Sequence, residues 1–425
     1  MNSDQRAAII DKIVDLVLEK HVDPSDVDRD YAPWKAQVAA QRGHLINRAD
    51  EEFETGIQQL LAALGTSHMG FTRASNPGMA AIFSLNASLG LVGSDGERQW
   101  MFQQVIEEGP AARAGIRAGE MLLEIDGKGV KPAAAPLFAL GEPHQLVLEN
   151  WRSKERRRVT VELPKASKEK GRPPMVIPKL ITSRMLAGRV GYIRGSYFQG
   201  VLGLDFIRGF EAAVETLQSA GAKAFVLDFR ANPGGGLASL RMMSWLTPAR
   251  IPVGFSLTRK AIRAGWEKTD LPCIDKLPAT KLQQISMVLK YKVWNRDRSV
   301  ALATEGLGLN RLQGRSVLVF DENSRSAAEM VAAFATEHRL APIVGTKTPG
   351  QVLGAVNFTL PHGYSLRMPI STWSTWGGET IEGRGVEPTV FVALSPESLS
   401  EGVDLQIEKA REIAVSLYGS LNVSK

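Results

Sequence analysis

A serine at the junction between a strand and a helix is the residue of this chain best placed for chemistry. Ser326 follows the apolar stretch 316–320 and opens a helical segment. One side of that helix carries apolar residues, namely Met330, Val331 and Phe334. The free backbone N–H groups at the start of a helix favour negative charge. Ser326 therefore occupies a position that suits a nucleophile whose reaction creates an oxyanion.

A second apolar strand, 225–229, leads into a loop with three consecutive glycines, Gly234, Gly235 and Gly236. Glycine can turn its backbone N–H toward a ligand because no side chain stands in the way. A serine at a helix start and a glycine-lined N–H site together indicate acyl-transfer chemistry.

The composition is that of an ordinary globular protein, with 44% apolar and 23% charged residues. A length of 425 residues exceeds one compact core and predicts about two to four domains. The net charge of +6 comes from 51 basic and 45 acidic residues that do not cluster with aromatics, so we expect no nucleic-acid partner. The single cysteine, Cys273, excludes an internal disulfide and cannot build a metal site alone.

The chain contains no apolar run long enough to predict a membrane span. Residues 1–10 pass directly into an amphipathic helix and show no signal-peptide pattern. We expect a cytoplasmic protein, or a periplasmic or secreted one if a leader has been removed.

The pattern divides the chain into five parts. Residues 1–75 are predicted to be helical, with helices near 1–20, 32–48 and 50–64 and with Asp50 as the N-cap of the third. Residues 189–395 alternate strands and helices, which indicates an α/β domain with a largely parallel sheet. The other parts are a region of short strands at 76–166, a polar linker at 167–188 and a closing helix at 396–425. Within the α/β domain, 256–312 is an insertion, partly helical at 281–294, in a position where it could cover the site.

The segment 109–127 combines a short helix, a strand and the tight turn Asp126–Gly127. It resembles the signature of the bacterial type of PDZ domain, S-P-A-x-x-A-G, with Gly109 in place of the serine. The resemblance implies that the upstream strand binds an extended peptide and its C-terminal carboxylate through main-chain groups. Its peptide-binding residues would be Leu89, Gly90 and Leu91.

The α/β region resembles the carboxy-terminal processing and tricorn-core serine proteases. Four family motifs occur in order: D-x-R-x-N-P-G-G at 228–235, S-x-S-A-A-E at 324–329, V-G-x-x-T at 344–348 and G-V-x-P at 385–388. The resemblance implies a multi-domain α+β protein whose protease core is a crotonase- and Clp-protease-like spiral, and an endopeptidase that needs no metal or other cofactor. It also implies that Ser326 is the nucleophile and that the N–H groups of Ala327 and of Gly234 or Gly235 form the oxyanion hole.

A serine needs a base, because its hydroxyl is a poor nucleophile at neutral pH. The commoner branch of this family uses a lysine after V-G-x-x-T, but Gln351 occupies that position here. A neutral amide cannot accept the proton. Lys347 is close in sequence but out of register, and a Ser326–Lys347 dyad is the alternative.

Histidine is the natural substitute for the missing lysine, and the chain has six. His338 ends the helix that Ser326 opens, about 18 Å away, which is too far for proton transfer. We expect no catalytic role for His21 and His44 on the surface of the N-terminal helices, His144 in a PDZ turn or His362 at a hairpin tip. The remaining one, His68, lies in a segment that resembles the L-x-D-x-H-T motif of the histidine-using branch, with Thr66 in place of the aspartate.

In the tricorn-like branch, a serine beside the histidine and a glutamate near the end of the core hold the imidazole. Ser67 precedes His68 directly, and Glu382 fits the glutamate position. Glu379 is the alternative, and both glutamates could instead be solvated loop residues.

The sequence therefore predicts a serine endopeptidase that acts on protein or peptide substrates selected by their free C-termini. Two alternative hypotheses remain. The first is a PDZ adaptor on a degenerate protease core, which the missing lysine suggests, and the second is a crotonase-like acyl-CoA enzyme. The PDZ segment and the S-x-S-A-A-E motif argue against the acyl-CoA enzyme. A homo-oligomer is also left open by the sequence.

Overall fold

Three helices and a strand form the N-terminal region in the computed structural model. The structure describes residues 1–26, 28–73, 78–93, 98–165, 175–200, 202–278, 282–283, 285–286, 289, 299–308, 312 and 315–423. The first elements are α1 (Ser3–Lys20), α2 (Ala32–Leu45), α3 (Asp50–Ala62) and β1 (Gly70–Arg73). Their apolar faces share one core with residues from far along the chain, and Phe71 stacks on Tyr364 at 4.8 Å between ring centroids. The N-terminal region is therefore packed onto the α/β part of the molecule.

The expected N-cap of α3 is one residue off. Ala49 is the N-cap and Asp50 is the first helical residue. The Asp50 carboxylate instead forms ion pairs with the N-terminal amine at 3.2 Å and with Arg6 at 2.8 Å. A carboxylate in the first turn of a helix is stabilised by the helix dipole as well as by these cations. Asp50 therefore stabilises the start of α3 through its charge and not as an N-cap.

The next region contains a five-stranded antiparallel sheet, a short strand that pairs with it, and a separate two-stranded sheet. Its elements are β2 (Gly78–Ala80), α4 (Ala81–Ser84), β3 (Ala87–Val92), β4 (Gln99–Val105), α5 (Pro110–Arg113), β5 (Glu120–Ile125), β6 (Lys128–Gly129), β7 (Leu137–Ala139), β8 (Pro143–Asn150) and β9 (Arg156–Glu162). The strand order of the larger sheet is β3-β4-β5-β8-β9, so β3 lies at the edge, while β6 pairs with β5 and β2 with β7. Asp126 and Gly127 have φ values of 50° and 75°, which confirms the predicted tight turn.

The α/β part is built on a six-stranded sheet with the order β10-β11-β12-β16-β17-β21. Its first elements are β10 (Ile181–Leu186), β11 (Val190–Gly195), α6 (Leu204–Ser219), β12 (Ala224–Asp228) and α7 (Ala238–Leu246). The chain then forms β13 (Pro252–Ser256), α8 (Arg259–Ala264), a 3-10 turn at Lys268–Asp270, β14 (Cys273–Ile274) and β15 (Val300–Ala303).

The remaining elements complete this sheet and cover it. They are β16 (Ser316–Phe320), α9 (Ala327–Glu337), β17 (Ile343–Gly345), β18 (Gly354–Thr359), a 3-10 turn at Pro361–Gly363, β19 (Tyr364–Ser371), β20 (Ser374–Thr375), β21 (Val390–Phe391), α10 (Pro396–Ser400) and α11 (Leu405–Val423). Apart from the antiparallel β10–β11 pair, the sheet is parallel. Helices α6, α7 and α9 pack on one face and α11 on the other.

Two predicted segments differ from the structure. The expected linker 167–188 contains β10, which pairs with β11 along its whole length. As an edge strand β10 buries little apolar surface, so its sequence lacks the apolar run of a central strand. The expected insertion 256–312 contributes β14 and β15 to a sheet with β13 and β20. Its predicted helix at 281–294 falls largely outside the described residues.

A three-stranded sheet joins the N-terminal region to the α/β part in the order β1-β19-β18. Strand β1 begins two residues after His68, and β18 begins three residues after Gln351. Both strands are antiparallel to β19, so their starts lie at the same end of the sheet. This sheet therefore brings the His68 segment and the Gln351 segment to one side of the molecule. No helix in the described part of the chain has the length and apolar character needed to cross a membrane.

Candidate active site

Ser326 is held in a strained conformation at the point where the loop after β16 turns into α9. Its φ of 57° and ψ of −121° are rare for any residue but glycine. The Ser326 N–H donates to the Gln351 carbonyl at 2.8 Å and to Glu329 Oε2 at 3.2 Å. Such strain persists only where surrounding contacts impose it, and it recurs at nucleophiles on strand-to-helix turns.

Hydrogen bonds to the Glu329 carboxylate hold the backbone of Ser326 in this conformation. This carboxylate is fully buried and accepts hydrogen bonds from the Gly350 N–H at 2.6 Å and the Gln351 N–H at 2.7 Å, besides that of Ser326. Burial raises the pKa of Glu329 above its usual range, while these donors oppose that rise. The motif glutamate thus ties the segment at the lysine position to the serine turn. Sequence reasoning matched Glu329 to the motif but assigned it no role.

The glycine loop lies directly against the serine turn. A Cβ added to Gly234, whose φ is 89°, would lie 2.6 Å from Ser326 Cβ and 2.8 Å from the Ala327 nitrogen. The Gly234 N–H already donates to Asn232 Oδ1 at 2.8 Å. The N–H groups of Ala327 and Gly235 have no acceptor within the described ranges. Of the two predicted glycine donors, Gly235 is therefore the one with an available N–H.

Asn232 fixes this loop and was missed as a functional residue, although the D-x-R-x-N-P-G-G motif contains it. Besides accepting from Gly234, its side chain donates to the Gly195 carbonyl at 2.8 Å, and its own carbonyl accepts from the Arg325 N–H at 2.9 Å. The side chain is fully buried. One asparagine thus connects the glycine loop, β11 and the residue before the candidate nucleophile.

The charged residues of the D-x-R-x-N-P-G-G motif form buried ion pairs next to the glycine loop. Arg230 is fully buried and bonds Asp228 through Nε at 2.9 Å and Nη2 at 2.7 Å, and Asp404 at 3.0 Å. Burial disfavours the charge of Asp228, but the Arg230 and Arg194 guanidiniums hold its pKa well below the usual range. Ser324, the first serine of the S-x-S-A-A-E motif, is also fully buried and donates to the Phe229 carbonyl at 3.0 Å. Its hydroxyl is therefore not available to a substrate.

His68 has its Nδ1 within 2.7 Å of Ser67 Oγ. Its φ of 61° places it in the left-handed region, a second strained residue near the site. Burial, reinforced by the charges of Arg367 and Arg325, lowers the pKa of His68 to about 3. The imidazole is therefore neutral at neutral pH, and if Nδ1 donates to Ser67 its Nε2 can accept a proton.

Glu382 connects the His68 segment to the serine side of the site. Its Oε1 accepts from the Ser67 N–H at 2.9 Å and its Oε2 from the Val352 N–H at 2.8 Å. It contacts the backbone of Ser67 and not the hydroxyl. The Glu379 N–H donates to Thr375 Oγ1 at 3.3 Å, so of the two candidate glutamates Glu382 is the one joined to Ser67.

The alternative bases are held elsewhere. Lys347 Nζ forms an ion pair with Glu387 at 2.7 Å, and both side chains are exposed.

The expectation that His21 lies on the surface is wrong: it is fully buried between Tyr31 at 2.6 Å and Thr66 at 2.9 Å. Thr66, which replaces the family aspartate, thus has a structural partner. Four other histidines remain. His44 is exposed, His144 is bound to Asp126, His338 is bound to the Pro252 carbonyl and His362 lies in a turn.

Gln103, on the strand next to the predicted peptide strand, contacts the loop before Ser326. Leu89, Gly90 and Leu91 lie on the edge strand β3, and a Cβ on Gly90 would lie 2.0 Å from Gln103 Nε2. Gln103 donates to Glu322 Oε1 at 2.7 Å and accepts from Asn323 Nδ2 at 2.9 Å. Nothing in the sequence pattern pointed to this contact, because it joins residues of two domains.

Comparisons with known proteins agree with this fold. The model of peptidase family S41 matches residues 189–392, and that of the PDZ domain matches residues 101–147. A tricorn protease homologue of Streptomyces coelicolor is 25% identical over 404 residues, which are 90% of this chain and 30% of that protein. A carboxy-terminal-processing protease of Bartonella bacilliformis is 23% identical over 312 residues, which are 71% of this chain and 60% of that protein. The chain thus spans only part of the length of these relatives.

Solved structures share the fold at low sequence identity. Mature CPAF in complex with lactacystin has a TM-score of 0.61 at 14% identity, covering 98% of this chain and 99% of that one. The photosystem II D1 C-terminal processing protease has a TM-score of 0.54 at 18% identity, covering 96% and 97%.

The fold and the site define a serine-type peptidase core joined to a PDZ domain and an N-terminal helical region. Residues 189–392 form a domain of peptidase family S41, and residues 101–147 belong to a PDZ domain. Among the residues that the structure describes, no group of three or more His, Cys, Asp or Glu side chains could hold a metal ion.

Proposed function

We propose that this chain is a serine endopeptidase that cleaves peptide bonds through an acyl-enzyme on Ser326. Ser326 Oγ attacks the carbonyl carbon while its proton passes to His68 Nε2. The N–H groups of Ala327 and Gly235 stabilise the resulting oxyanion. His68 then returns the proton to the leaving amine, and a water molecule, deprotonated by the same imidazole, hydrolyses the ester.

A continuous series of contacts between the candidate residues carries this proposal. The Ser326 N–H bonds Gln351, the next residue Val352 bonds Glu382, and Glu382 bonds Ser67 beside His68. Every member of this series is a backbone or side-chain hydrogen bond of ordinary length. The arrangement supports a base supplied by the N-terminal region in place of the lysine of the commoner branch.

Substrate choice is proposed to involve the free C-termini of polypeptides. Strand β3 is at the edge of the PDZ sheet, where an extended peptide can add as a further strand. Leu91 on this strand is exposed to solvent, and the Gln103 side chain lies over Gly90. These features favour main-chain recognition of a tail along residues 89–91.

A fluorophosphonate probe tests the nucleophile and the base separately. We expect labelling of the wild-type protein and none of Ser326→Ala, while the buried Ser324→Ala variant keeps its label if it folds. His68→Ala should lose turnover of an unfolded protein such as casein by about 10³-fold or more. Labelling that survives Ser326→Ala contradicts the assignment of the nucleophile, and full turnover by His68→Ala contradicts that of the base. Stoichiometric binding of C-terminal peptides without any cleavage would instead favour the adaptor.

A further inference from the structure

A cavity of about 870 Å³ lies between the N-terminal helices and the β18–β19 hairpin, outside the site described above. The end of α1, helix α8 and strand β18 form its walls. The lining residues are Glu19, Lys20, Thr258, Arg259, Lys260, Arg263, Ala264, Val356, Asn357, Phe358 and Ile370.

The charge of this cavity is strongly positive. Four lining side chains are cationic and only Glu19 is acidic, and it pairs with its neighbour Lys20. Arg263 lies 3.5 Å from Asp28, whose side chain is 87% exposed, so this pair is weak and screened. Lys260 is exposed and has no carboxylate partner within the described ranges. Arg259, Lys260 and Arg263 therefore present uncompensated positive charge to any ligand in the cavity.

Arg259 carries an additional signal for an anionic ligand. Its Nη1 donates to the Leu18 carbonyl at 3.0 Å, and its guanidinium lies 5.0 Å from the centroid of the Tyr31 ring. The Nε–H is buried and has no acceptor among the residues that the structure describes. Arg259 thus has no carboxylate partner in the described part of the chain, and an anionic ligand in the cavity would supply one to its guanidinium.

Strand β18 leads from the candidate active site to the wall of the cavity. Strand β18 is at the edge of its three-stranded sheet and begins three residues after Gln351, whose carbonyl holds the Ser326 N–H. An extended chain advances about 3.3 Å per residue. Positions 356–358 lie five to seven residues after Gln351. A polypeptide that leaves Ser326 along β18 therefore reaches this wall after about five to seven residues.

We propose that this cavity is a subsite for an acidic segment of the polypeptide substrate. The segment adds beside β18 and places its carboxylates against Arg259, Lys260 and Arg263. This inference rests on the proposed endopeptidase function and extends it by naming a class of substrate: chains with aspartate or glutamate about five to seven residues from the scissile bond.

Binding can be measured without cleavage, on the full chain with Ser326→Ala. The probe is a fluorescein-labelled peptide of alternating valine and glutamate with an amidated C-terminus, which keeps it from the PDZ strand. The matched peptide has glutamine in place of glutamate. We expect the glutamate peptide to bind about three- to tenfold more tightly by fluorescence anisotropy at low salt, because two or more exposed ion pairs are gained.

Charge reversal decides where this preference resides. The double variant Lys260→Glu/Arg263→Glu should bind both peptides equally. The control Lys128→Glu/Arg208→Glu reverses two exposed cations that do not line the cavity and should keep the preference. Equal affinities in the parent protein, or a preference that survives Lys260→Glu/Arg263→Glu, overturn the proposal. Stronger competition by a single-stranded oligonucleotide of equal charge also overturns it, since the cavity would then be a general polyanion site.

Cleavage separates this inference from the proposed function. Peptides built on a cleavage site mapped in casein should show the same acid preference in kcat/KM on the wild-type chain. Charge-dependent binding with no cleavage of any substrate would refute the endopeptidase and leave the acidic subsite standing. Cleavage with equal kcat/KM for acidic and amide peptides would refute the subsite alone.

Discussion

Glu382 and Ser67 are joined across 315 positions of the chain by a hydrogen bond of 2.9 Å from the Ser67 N–H to Glu382 Oε1. The other oxygen of the same carboxylate accepts from Val352 at 2.8 Å. One side chain thus fixes the histidine segment and the segment next to the serine relative to each other. Docking of the N-terminal region onto the α/β part is therefore a condition for an assembled site.

The Glu382→Gln variant should lower kcat/KM by about 10²-fold, because one of the two bonded N–H groups would face an amide NH₂ and the His68 segment would shift. The readout is the split between kcat and KM, with kcat falling more, since substrate contacts in the PDZ domain and along β18 are unchanged. Glu379→Gln is the control and should behave as wild type. Equal losses in both variants would mean that Glu382 does not position His68.

Gly234→Ala should abolish activity. The new Cβ would lie 2.6 Å from Ser326 Cβ and 2.8 Å from the Ala327 nitrogen, on the surface where the oxyanion must bind. Gly221→Ala is the matched control, because its φ of 92° resembles the 89° of Gly234 and nothing lies within 4 Å of its added Cβ.

Both glycine variants should lose about 1–2 kcal/mol of unfolding free energy from the left-handed backbone. Gly234→Ala should lose more than this, because atoms of Ser326 and Ala327 must shift to make room for its Cβ. Only Gly234→Ala should also lose turnover. Urea unfolding and casein cleavage measure the two effects. Retention of activity in Gly234→Ala would place the oxyanion hole elsewhere.

The lowered pKa of His68 predicts a pH dependence of stability. Burial and the two arginines hold this pKa at about 3 in the folded chain, against 6.5 for an ordinary histidine. Between these values the unfolded chain binds a proton that the folded chain does not. The stability of the fold is therefore complete above pH 6.5 and is lost as the pH falls toward 3, by up to about 1.4 kcal/mol per pH unit.

Buried His21, whose pKa burial lowers to about 4, adds to the same loss in the same pH range. His68→Asn should therefore flatten the pH dependence of the unfolding free energy between pH 4.5 and 6.5 without removing it. Urea titrations of wild type and variant at both pH values measure the difference. Identical slopes would show that His68 is not buried as a neutral imidazole.

Gln103 should couple the PDZ domain to the loop before Ser326. Gln103→Glu places a carboxylate against Glu322 and should cost about 1–3 kcal/mol of unfolding free energy and part of kcat. Adding Glu322→Gln restores a carboxylate–amide pair with the partners exchanged. The double variant should recover most of both losses, which a double-mutant cycle measures. Additive losses would mean that the two side chains do not interact in solution.

Much of the fold and of the site follows from local signals. Alternating strands and helices predicted the parallel sheet, and the S-x-S-A-A-E and D-x-R-x-N-P-G-G segments predicted the serine turn and the glycine loop that the structure places side by side. The edge strand β10 was missed because only its residue Thr182 is buried, which leaves little apolar signal. The choice of Glu382 over Glu379 and of Gly235 over Gly234 needed the hydrogen-bond partners of each group.

The sequence by itself determined the inventory of this site: a serine at a helix start, glycines in a loop, a glutamine where a lysine is usual and a histidine far upstream. Only the tertiary structure decided how they meet. The strain at Ser326, the burial of His68 and the Glu382 bridge all depend on contacts between segments distant in the chain. Such contacts leave no periodicity in the sequence, because hydrogen-bond geometry and desolvation are properties of the packed chain.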